Sequence, residues 1–149
     1  MSGMGCYNSC VVSASADEVW RALRDFHDMS WASASVHSLE PIGSSGDRVG
    51  ARRVVNGRMH ETLLALNDVD RVVKYRIDDG PEALSKNNVT GYVAKVVVSP
   101  VTDTGFAFVE WSSSWQDAGG AVKAFCDPIY RRLLAQLQHY FEPTGPSGR

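Results

Sequence analysis

Three ionisable residues, Arg53, Glu61 and His37, are the groups with which this chain could transfer protons or bind an anion. A carboxylate enclosed by apolar side chains loses solvation, which favours its protonated form and suits it to acid or base work. A histidine titrates near neutral pH and can shuttle protons. An inward guanidinium can hold a carboxylate or an enolate through two parallel hydrogen bonds. These residues predict a proton-transfer site if the fold brings them into one apolar cavity.

Plainer structural roles compete with this interpretation. Arg52 and Arg53 are adjacent on a predicted strand, so one points inward and the other outward. An ion pair between the inward arginine and Glu61 on the neighbouring strand is the simpler explanation. Isolated strand histidines such as His37 and His60 are more often surface or structural residues.

The orientation of Glu61 is left open by the pattern around it. Leu63 and Ala65 share its side of the strand, which is consistent with an inward orientation. The opposite side is equally apolar and carries Thr62, Leu64 and Leu66. We favour a Glu61 that faces solvent or is paired in a salt bridge.

A second group of candidates is aromatic and apolar. On the strands predicted at 72–78 and 105–115, polar residues alternate with residues that should face the interior. The inward sets are Val73, Tyr75 and Ile77, and Ala107, Val109, Trp111, Ser113 and Trp115. Packing against a helix would explain the aromatic residues equally well. The residues that we expect to line a ligand cavity are Tyr75, Trp111, Trp115, Ile77, Leu63, Ile129 and Leu133.

Composition indicates one globular domain. Of the 149 residues, 44% are hydrophobic and 21% are charged, which is the balance of an ordinary globular protein. We predict a single domain over residues 1–149, with its core at about 4–142 and a flexible tail at 143–149. The net charge of −2 and the lack of a basic stretch argue against nucleic acid as a partner.

The spacing of cysteines, histidines and glycines argues against several classes of site. The odd number of cysteines, 3, indicates a reducing compartment, and we expect a cytoplasmic protein. No segment reaches the roughly 18 apolar residues of a membrane span, so no membrane insertion is expected. The 4 histidines and the cysteines lack zinc-ligand spacing, and no glycine-rich phosphate loop or nucleophile elbow is present. We therefore expect no metal and no cofactor.

The elements that must position these residues begin with a strand and a helix. Residues 4–13 favour a strand, and Ser15 and Glu18 predict a capping box before a helix over 16–26. A short helical piece at 28–34 follows, and Asn56-Gly57 is a hairpin signal. Six further strands, antiparallel because most are joined by short turns, are predicted at 36–42, 50–55, 60–67, 72–78, 89–98 and 105–115.

The C-terminal segment has the strongest helical period, since apolar residues recur every three or four positions between 121 and 141. Pro128 either kinks this helix, or Asp127 caps a shorter helix that starts at Pro128. One helix cannot cover seven strands that lie flat, so the sheet should curl around it and leave a gap. The predicted fold class is α+β, a curved seven-stranded antiparallel sheet around a long C-terminal helix, with one or two short helices after the first strand.

Taken in order, these segments resemble the Bet v 1-like superfamily, also called SRPBCC or START-like. The resemblance covers residues of about 6–142 and is carried by SASADEVWRALRDFHDMSWA, VVKYRIDDGP, NNVTGYVAKVVVSPVTDTGFAFVEWSSSW and YRRLLAQLQHYF. The chain is most similar to the polyketide cyclase/dehydrase-type branch and distantly similar to the branch that contains plant abscisic-acid receptors. The resemblance implies a helix-grip fold with a hydrophobic cavity between the sheet and the last helix, suited to lipids, polyketides or similar molecules.

Two departures separate the chain from the hormone receptors. Their Ser-Gly-Leu-Pro-Ala gate corresponds here to the short turn Asn56-Gly57-Arg58, and their His-Arg-Leu latch corresponds to the Pro-Glu-Ala-Leu-Ser sequence at 81–85. The receptor lysine that pairs with the hormone carboxylate falls near His37. A hormone-receptor function is therefore not expected.

Three functions are compatible with these observations. The first, which we favour, is binding of a small hydrophobic molecule without chemistry. The second is a cofactor-independent polyketide cyclase or aromatase that holds a reactive polyketide folded while Glu61, Arg53 or His37 moves protons. The third is a protein-interaction module, such as a homodimer through the outward residues Phe106 and Phe108.

Overall fold

The computed structural model describes residues 4–118 and 120–143. The strands in this part of the chain are β1 (Met4–Ser15), β2 (Leu39–Ile42), β3 (Arg52–Val55), β4 (Met59–Asn67), β5 (Val72–Asp79), β6 (Val89–Thr90), β7 (Val93–Pro100), β8 (Phe106–Trp115) and β9 (Asp117–Ala118). The α-helices are α1 (Ala16–Leu23) and α2 (Val122–Tyr140), and 3-10 turns lie at Ser30–Ala32 and Glu82–Leu84. The flexible tail predicted at 143–149 lies outside the described residues, apart from Pro143.

A curved antiparallel sheet of seven strands is the main layer, in the order β1-β8-β7-β5-β4-β3-β2. This arrangement confirms the predicted fold class. Register shifts in β4 at His60/Glu61 and Leu63/Ala65, and in β1 after Val12, bend the sheet because a bulge adds local twist. The short strands β6 and β9 pair with each other in a separate sheet.

The predicted capping box at the start of α1 is confirmed. Ser15 Oγ accepts the N–H of Glu18 at 3.1 Å, and Glu18 Oε1 accepts the N–H of Ser15 at 3.2 Å. The helix ends at Leu23 and not at Phe26, because the N–H of Phe26 donates to the carbonyl oxygen of Gly46 at 3.0 Å. The helical piece predicted at 28–34 is a 3-10 turn.

Two predicted strands differ from the observed ones by more than two residues at one end. The strand predicted at 36–42 starts later, because the N–H groups of His37 and Ser38 donate to Asn56 Oδ1 at 2.7 and 3.2 Å. The strand predicted at 89–98 is divided at Gly91, whose φ of 65° redirects the chain. The hairpin turn is confirmed, since Asn56 and Gly57 have φ values of 56° and 67°.

Helix α2 packs along the edge strand β1 and continues through Pro128, so the alternative of a helix capped at Asp127 is wrong. Its backbone lies closest to β1 and the two 3-10 turns. The side chains that it buries are Val122, Cys126, Tyr130, Leu133, Leu134 and Leu137. Because the helix is seated on one edge of the curved sheet, space remains between it and the central strands.

Candidate functional site

A cavity of about 300 Å³ lies between the sheet and α2. The sheet side is formed by Arg53, Val55, Met59, Glu61, Tyr75, Ile77 and Trp111. The helix side is formed by Phe125, Ile129, Tyr130, Arg132 and Leu133. The connecting segments add Met29, Ser35, Val36, Asn56, Arg58 and Pro81. Most of these side chains are apolar or aromatic, which is the character of small-molecule sites.

An ion pair between Arg53 and Glu61 forms part of the cavity wall. Arg53 Nε donates to Glu61 Oε1 at 2.6 Å, and Arg53 Nη1 donates to the carbonyl oxygen of Phe26 at 3.0 Å. Arg53 Cζ lies 3.9 Å from the ring centroid of Phe26 and 5.2 Å from that of Tyr75, as in cation–π contacts. Arg53 and Glu61 are only 6% and 5% exposed, so each charge depends on the other for compensation.

Strand register places this pair. Arg53 on β3 lies directly opposite Glu61 on β4. The bulge after Leu63 leaves Leu64 as an extra residue, so the inward side of β4 carries Glu61 and Leu63 before it and Leu66 after it. The expectation of a salt-bridged Glu61 is confirmed, and the solvent-facing alternative is wrong.

Four aromatic side chains connect the cavity wall to the core. Trp111 Nε1 donates to Tyr75 Oη at 3.2 Å, and the rings of Trp111 and Tyr130 stack with their centroids 5.5 Å apart. The hydroxyl groups of Tyr130 and Tyr92 are hydrogen-bonded to each other. Burial raises the pKa of Tyr75, Tyr92 and Tyr130 above the ordinary value of 10.0. Tyr75 and Tyr130, which line the cavity, therefore keep neutral hydroxyl groups.

Five of the residues predicted to contact a ligand do line the cavity, and these are Tyr75, Trp111, Ile77, Ile129 and Leu133. Leu63 and Trp115 do not line it. Leu63 is 0% exposed and packs within the core. Trp115 stacks on Tyr92 with ring centroids 5.4 Å apart, so its inward face is covered by protein. Contact between the five lining residues and a ligand stays a prediction.

The third candidate for proton transfer, His37, is not brought to the ion pair. Its side chain is exposed, and its backbone N–H donates to Asn56 Oδ1 at 2.7 Å. His60 is also exposed. The expected meeting of His37 with Glu61 in one cavity is therefore wrong: the neighbouring residues Ser35 and Val36 line the cavity, but His37 does not.

Several lining residues were missed by the sequence analysis. Phe125 and Tyr130 lie on α2, and the apolar period of that helix already included Phe125. Met29 lies just before a 3-10 turn and has no periodic signal around it. Arg58 and Arg132 are exposed residues whose position at the cavity depends on how the hairpin and the helix approach each other. Local sequence carries no information about that approach.

A shallow depression of about 610 Å³ lies between β1 and α2, where Asn8 Nδ2 donates to Asp127 Oδ1 at 2.9 Å. Within residues 4–118 and 120–143, no group of three His, Cys, Asp or Glu side chains is arranged to hold a metal ion. The helices of these residues are too short or too polar to cross a membrane.

Comparison with known proteins gives a family match over nearly the whole chain. The sequence profile of a family described as polyketide cyclase / dehydrase and lipid transport matches residues 7–142. No curated protein matches the chain.

Solved structures share this architecture. A protein of Nitrosospira multiformis is 40% identical, with a TM-score of 0.89 and coverage of 98% of this chain and 100% of the other. An uncharacterized protein of Bacillus thuringiensis is 24% identical, with a TM-score of 0.75 and coverage of 94% and 100%. Major latex-like protein 151 of Panax ginseng is 13% identical, with a TM-score of 0.74 and coverage of 94% and 98%. The last two are similar in fold alone.

Proposed function

The chain belongs to the polyketide cyclase / dehydrase and lipid transport family, within the Bet v 1-like superfamily, and from this membership we propose that it binds a small hydrophobic molecule in the cavity under α2. The supporting observation is the cavity itself, about 300 Å³ of space with mainly apolar and aromatic walls. Each Å² of apolar ligand surface that leaves water there contributes about 25 cal/mol to binding.

The proposed contacts are with both walls of the cavity. Tyr75, Ile77 and Trp111 would contact the ligand from the sheet, and Ile129 and Leu133 from the helix. A volume of about 300 Å³ lies at the lower end of the range of small-molecule sites, which is roughly 300–1,000 Å³. The fitting ligands are therefore medium-sized molecules, such as a medium-chain lipid or a one- or two-ring aromatic compound.

Titration with such ligands tests the proposal. A bound ligand should raise Tm, since anything that binds only the folded state stabilises it. It should also change the fluorescence of Trp111, whose indole forms part of the wall. We expect Ile129→Trp, which fills the cavity, to weaken binding at least tenfold. Ala124→Trp is the matched control because Ala124 is exposed on the same helix; equal affinities in the two variants would contradict the proposal.

A second candidate function, cyclase-like catalysis, is supported by the charged pair in the same wall. Among the described residues, Glu61 Oε2 and Arg53 Nη2 have no hydrogen-bond partner, and neither atom is fully buried. Because both side chains line the cavity, these are the atoms that we expect to meet a ligand. Glu61 would move a proton while the guanidinium of Arg53 stabilises the negative charge of an enolate.

Product analysis separates the two functions. If the protein is a cyclase, a linear poly-β-ketone should be converted faster with the protein than without it. Glu61→Gln should then reduce turnover about 100-fold or more, the contribution typical of a general base. Glu40→Gln, which changes an exposed carboxylate on β2, should retain full activity. A bound poly-β-ketone that is recovered unchanged would support binding alone.

A further inference from the structure

The charges that line the cavity do not balance. The charged side chains that line it are Arg53, Glu61, Arg58 and Arg132. Arg53 and Glu61 compensate each other. Arg58 and Arg132 are in none of the salt bridges found among the described residues. The cavity therefore carries two uncompensated positive charges, although the chain as a whole has a net charge of −2.

These two arginines lie at the mouth of the cavity. The exposed members of the lining are Asn56, Arg58 and Arg132, which marks the opening between the β3–β4 hairpin and α2. The amide of Asn56 is partly used, because Oδ1 accepts two backbone N–H groups and one N–H of Nδ2 donates to the carbonyl oxygen of Ser35 at 2.9 Å. The guanidinium groups are the charged donors at the mouth.

No acidic side chain is positioned to neutralise Arg132 from its own helix. The residues three and four positions away on α2 are Pro128, Ile129, Ala135 and Gln136. The acidic residue Glu82 lines a neighbouring depression that shares Phe125 with the cavity, but Glu82 is not part of the cavity lining.

The inner end of the cavity, near Arg53 and Glu61, is less suited to a negatively charged group than the mouth is. Two nitrogen atoms of Arg53 are engaged by Glu61 Oε1 and by the carbonyl oxygen of Phe26. An anion placed there would also meet the charge of Glu61. The apolar residues Ile77 and Leu133 line the space away from that pair. An amphipathic guest would therefore place its charged end outward and its apolar end inward.

We propose that the ligand is an amphipathic carboxylic acid whose carboxylate lies between Arg58 and Arg132 and whose apolar part occupies the cavity; this inference rests on the proposed binding function. Guanidinium groups bind carboxylates through charge-assisted, often bidentate hydrogen bonds. Arg58 belongs to the β3–β4 hairpin and Arg132 to α2, so the two arginines lie on different sides of the mouth and we expect them to contact one carboxylate together. Because both are exposed, we expect their combined effect on affinity to be on the order of tenfold.

The test compares decanoate with decanol, which differ mainly in the charged group. We expect decanoate to bind about tenfold more tightly than decanol at neutral pH and low salt. Added NaCl should weaken decanoate binding and leave decanol binding unchanged, because salt screens exposed charges. Arg58→Gln combined with Arg132→Gln should remove the preference for the acid while retaining decanol affinity.

Arg52→Gln combined with Arg131→Gln is the matched control. It removes the same charge from the same β3–β4 hairpin and the same helix, at exposed positions outside the cavity lining. Equal affinities for the acid and the alcohol, or an equal loss of preference in the control, would overturn the inference and leave the binding function intact. Failure of both ligands to bind would instead overturn the binding function for alkyl ligands, and the inference with it.

Discussion

Arg53 Nε lies 2.6 Å from Glu61 Oε1, and the two residues face each other directly across neighbouring strands in the wall of the cavity. The guanidinium is also held over the ring of Phe26 and bonded to its carbonyl oxygen. Taking two charges out of water costs several kcal/mol per ion, which the pairing repays only in good geometry. The pair is therefore a fixed polar element in an otherwise apolar wall.

Breaking this pair should be costly. Glu61→Gln leaves Arg53 buried without a compensating charge, and we expect the free energy of unfolding to fall by about 3–5 kcal/mol. Urea denaturation at neutral pH measures this loss. Replacing both members, by Arg53→Met with Glu61→Leu, should recover most of it because neither charge then remains buried.

A surface pair provides the control for that measurement. Asp17→Asn breaks the exposed pair with Arg71, in which the Asp17 side chain is 74% exposed. Such pairs contribute about 0–1 kcal/mol, so this variant should differ little from the wild type. A Glu61→Gln variant as stable as Asp17→Asn would mean that the Arg53–Glu61 pair is not desolvated in solution.

The elements were largely predictable because their signals are local. The capping box at Ser15 and Glu18, the Asn56-Gly57 hairpin and the long apolar period of α2 each depend on residues that are close in sequence. The order of these elements then limited the architecture to a sheet curled around one helix. The end of α1 was not predictable, because the N–H of Phe26 donates a hydrogen bond to the carbonyl oxygen of Gly46, which is distant in sequence.

The site was only partly predictable because it depends on how the strands pair and on which inward side chains are covered by other parts of the protein. Alternation identified Tyr75 and Trp111 as inward residues, and both line the cavity. The same rule selected Trp115, since alternation gives the face of a strand and not what covers it. Both sides of β4 are apolar, so the orientation of Glu61 became certain only with the bulge at Leu64 and the pairing with β3.

Substitutions at two leucines can distinguish a core residue from a residue of the cavity wall. Leu63 is 0% exposed and enclosed by protein, so Leu63→Ala should lower the free energy of unfolding by about 2–5 kcal/mol and leave ligand affinity unchanged. Leu133 faces the existing cavity, so Leu133→Ala loses fewer packing contacts but also loses contact with the ligand. Denaturation and ligand titration of both variants check this, and a larger affinity loss for Leu63→Ala would contradict it.

Alkaline pH should destabilise the fold through buried acids such as the thiol of Cys126. Burial raises the pKa of Cys126 from 9.0 to about 11. Above pH 9.0 the unfolded chain loses this proton while the folded chain keeps it, so the free energy of unfolding falls as the pH rises towards about 11. Urea denaturation across this interval should show a smaller decline for Cys126→Ala than for the wild type. Parallel declines would contradict the assignment.

A homodimer through the outer face of β8 stays a prediction that sizing chromatography can decide. Phe106 is 40% exposed, and Phe108 lies opposite Val11, which is 46% exposed on β1. Adjoining apolar side chains on a surface favour association. The double variant Phe106→Ser, Phe108→Ser should therefore elute later than the wild type, while Tyr140→Ser, exposed on α2, should not. An unchanged elution volume for the double variant would rule out this face.

The capping box should contribute to stability. Ser15→Ala removes the acceptor for the N–H of Glu18, which should lower the free energy of unfolding by about 0.5–2 kcal/mol, whereas Ser15→Asp retains a capping oxygen and should lower it less.

The other half of the capping box should depend on pH. The N–H of Ser15 lowers the pKa of Glu18 below 4.5. A lowered pKa in the folded state means that this stabilisation is present above pH 4.5 and is lost as the pH falls through the folded value. Acid denaturation of the wild type and Glu18→Gln should therefore converge at low pH; a constant difference between them would contradict this contribution.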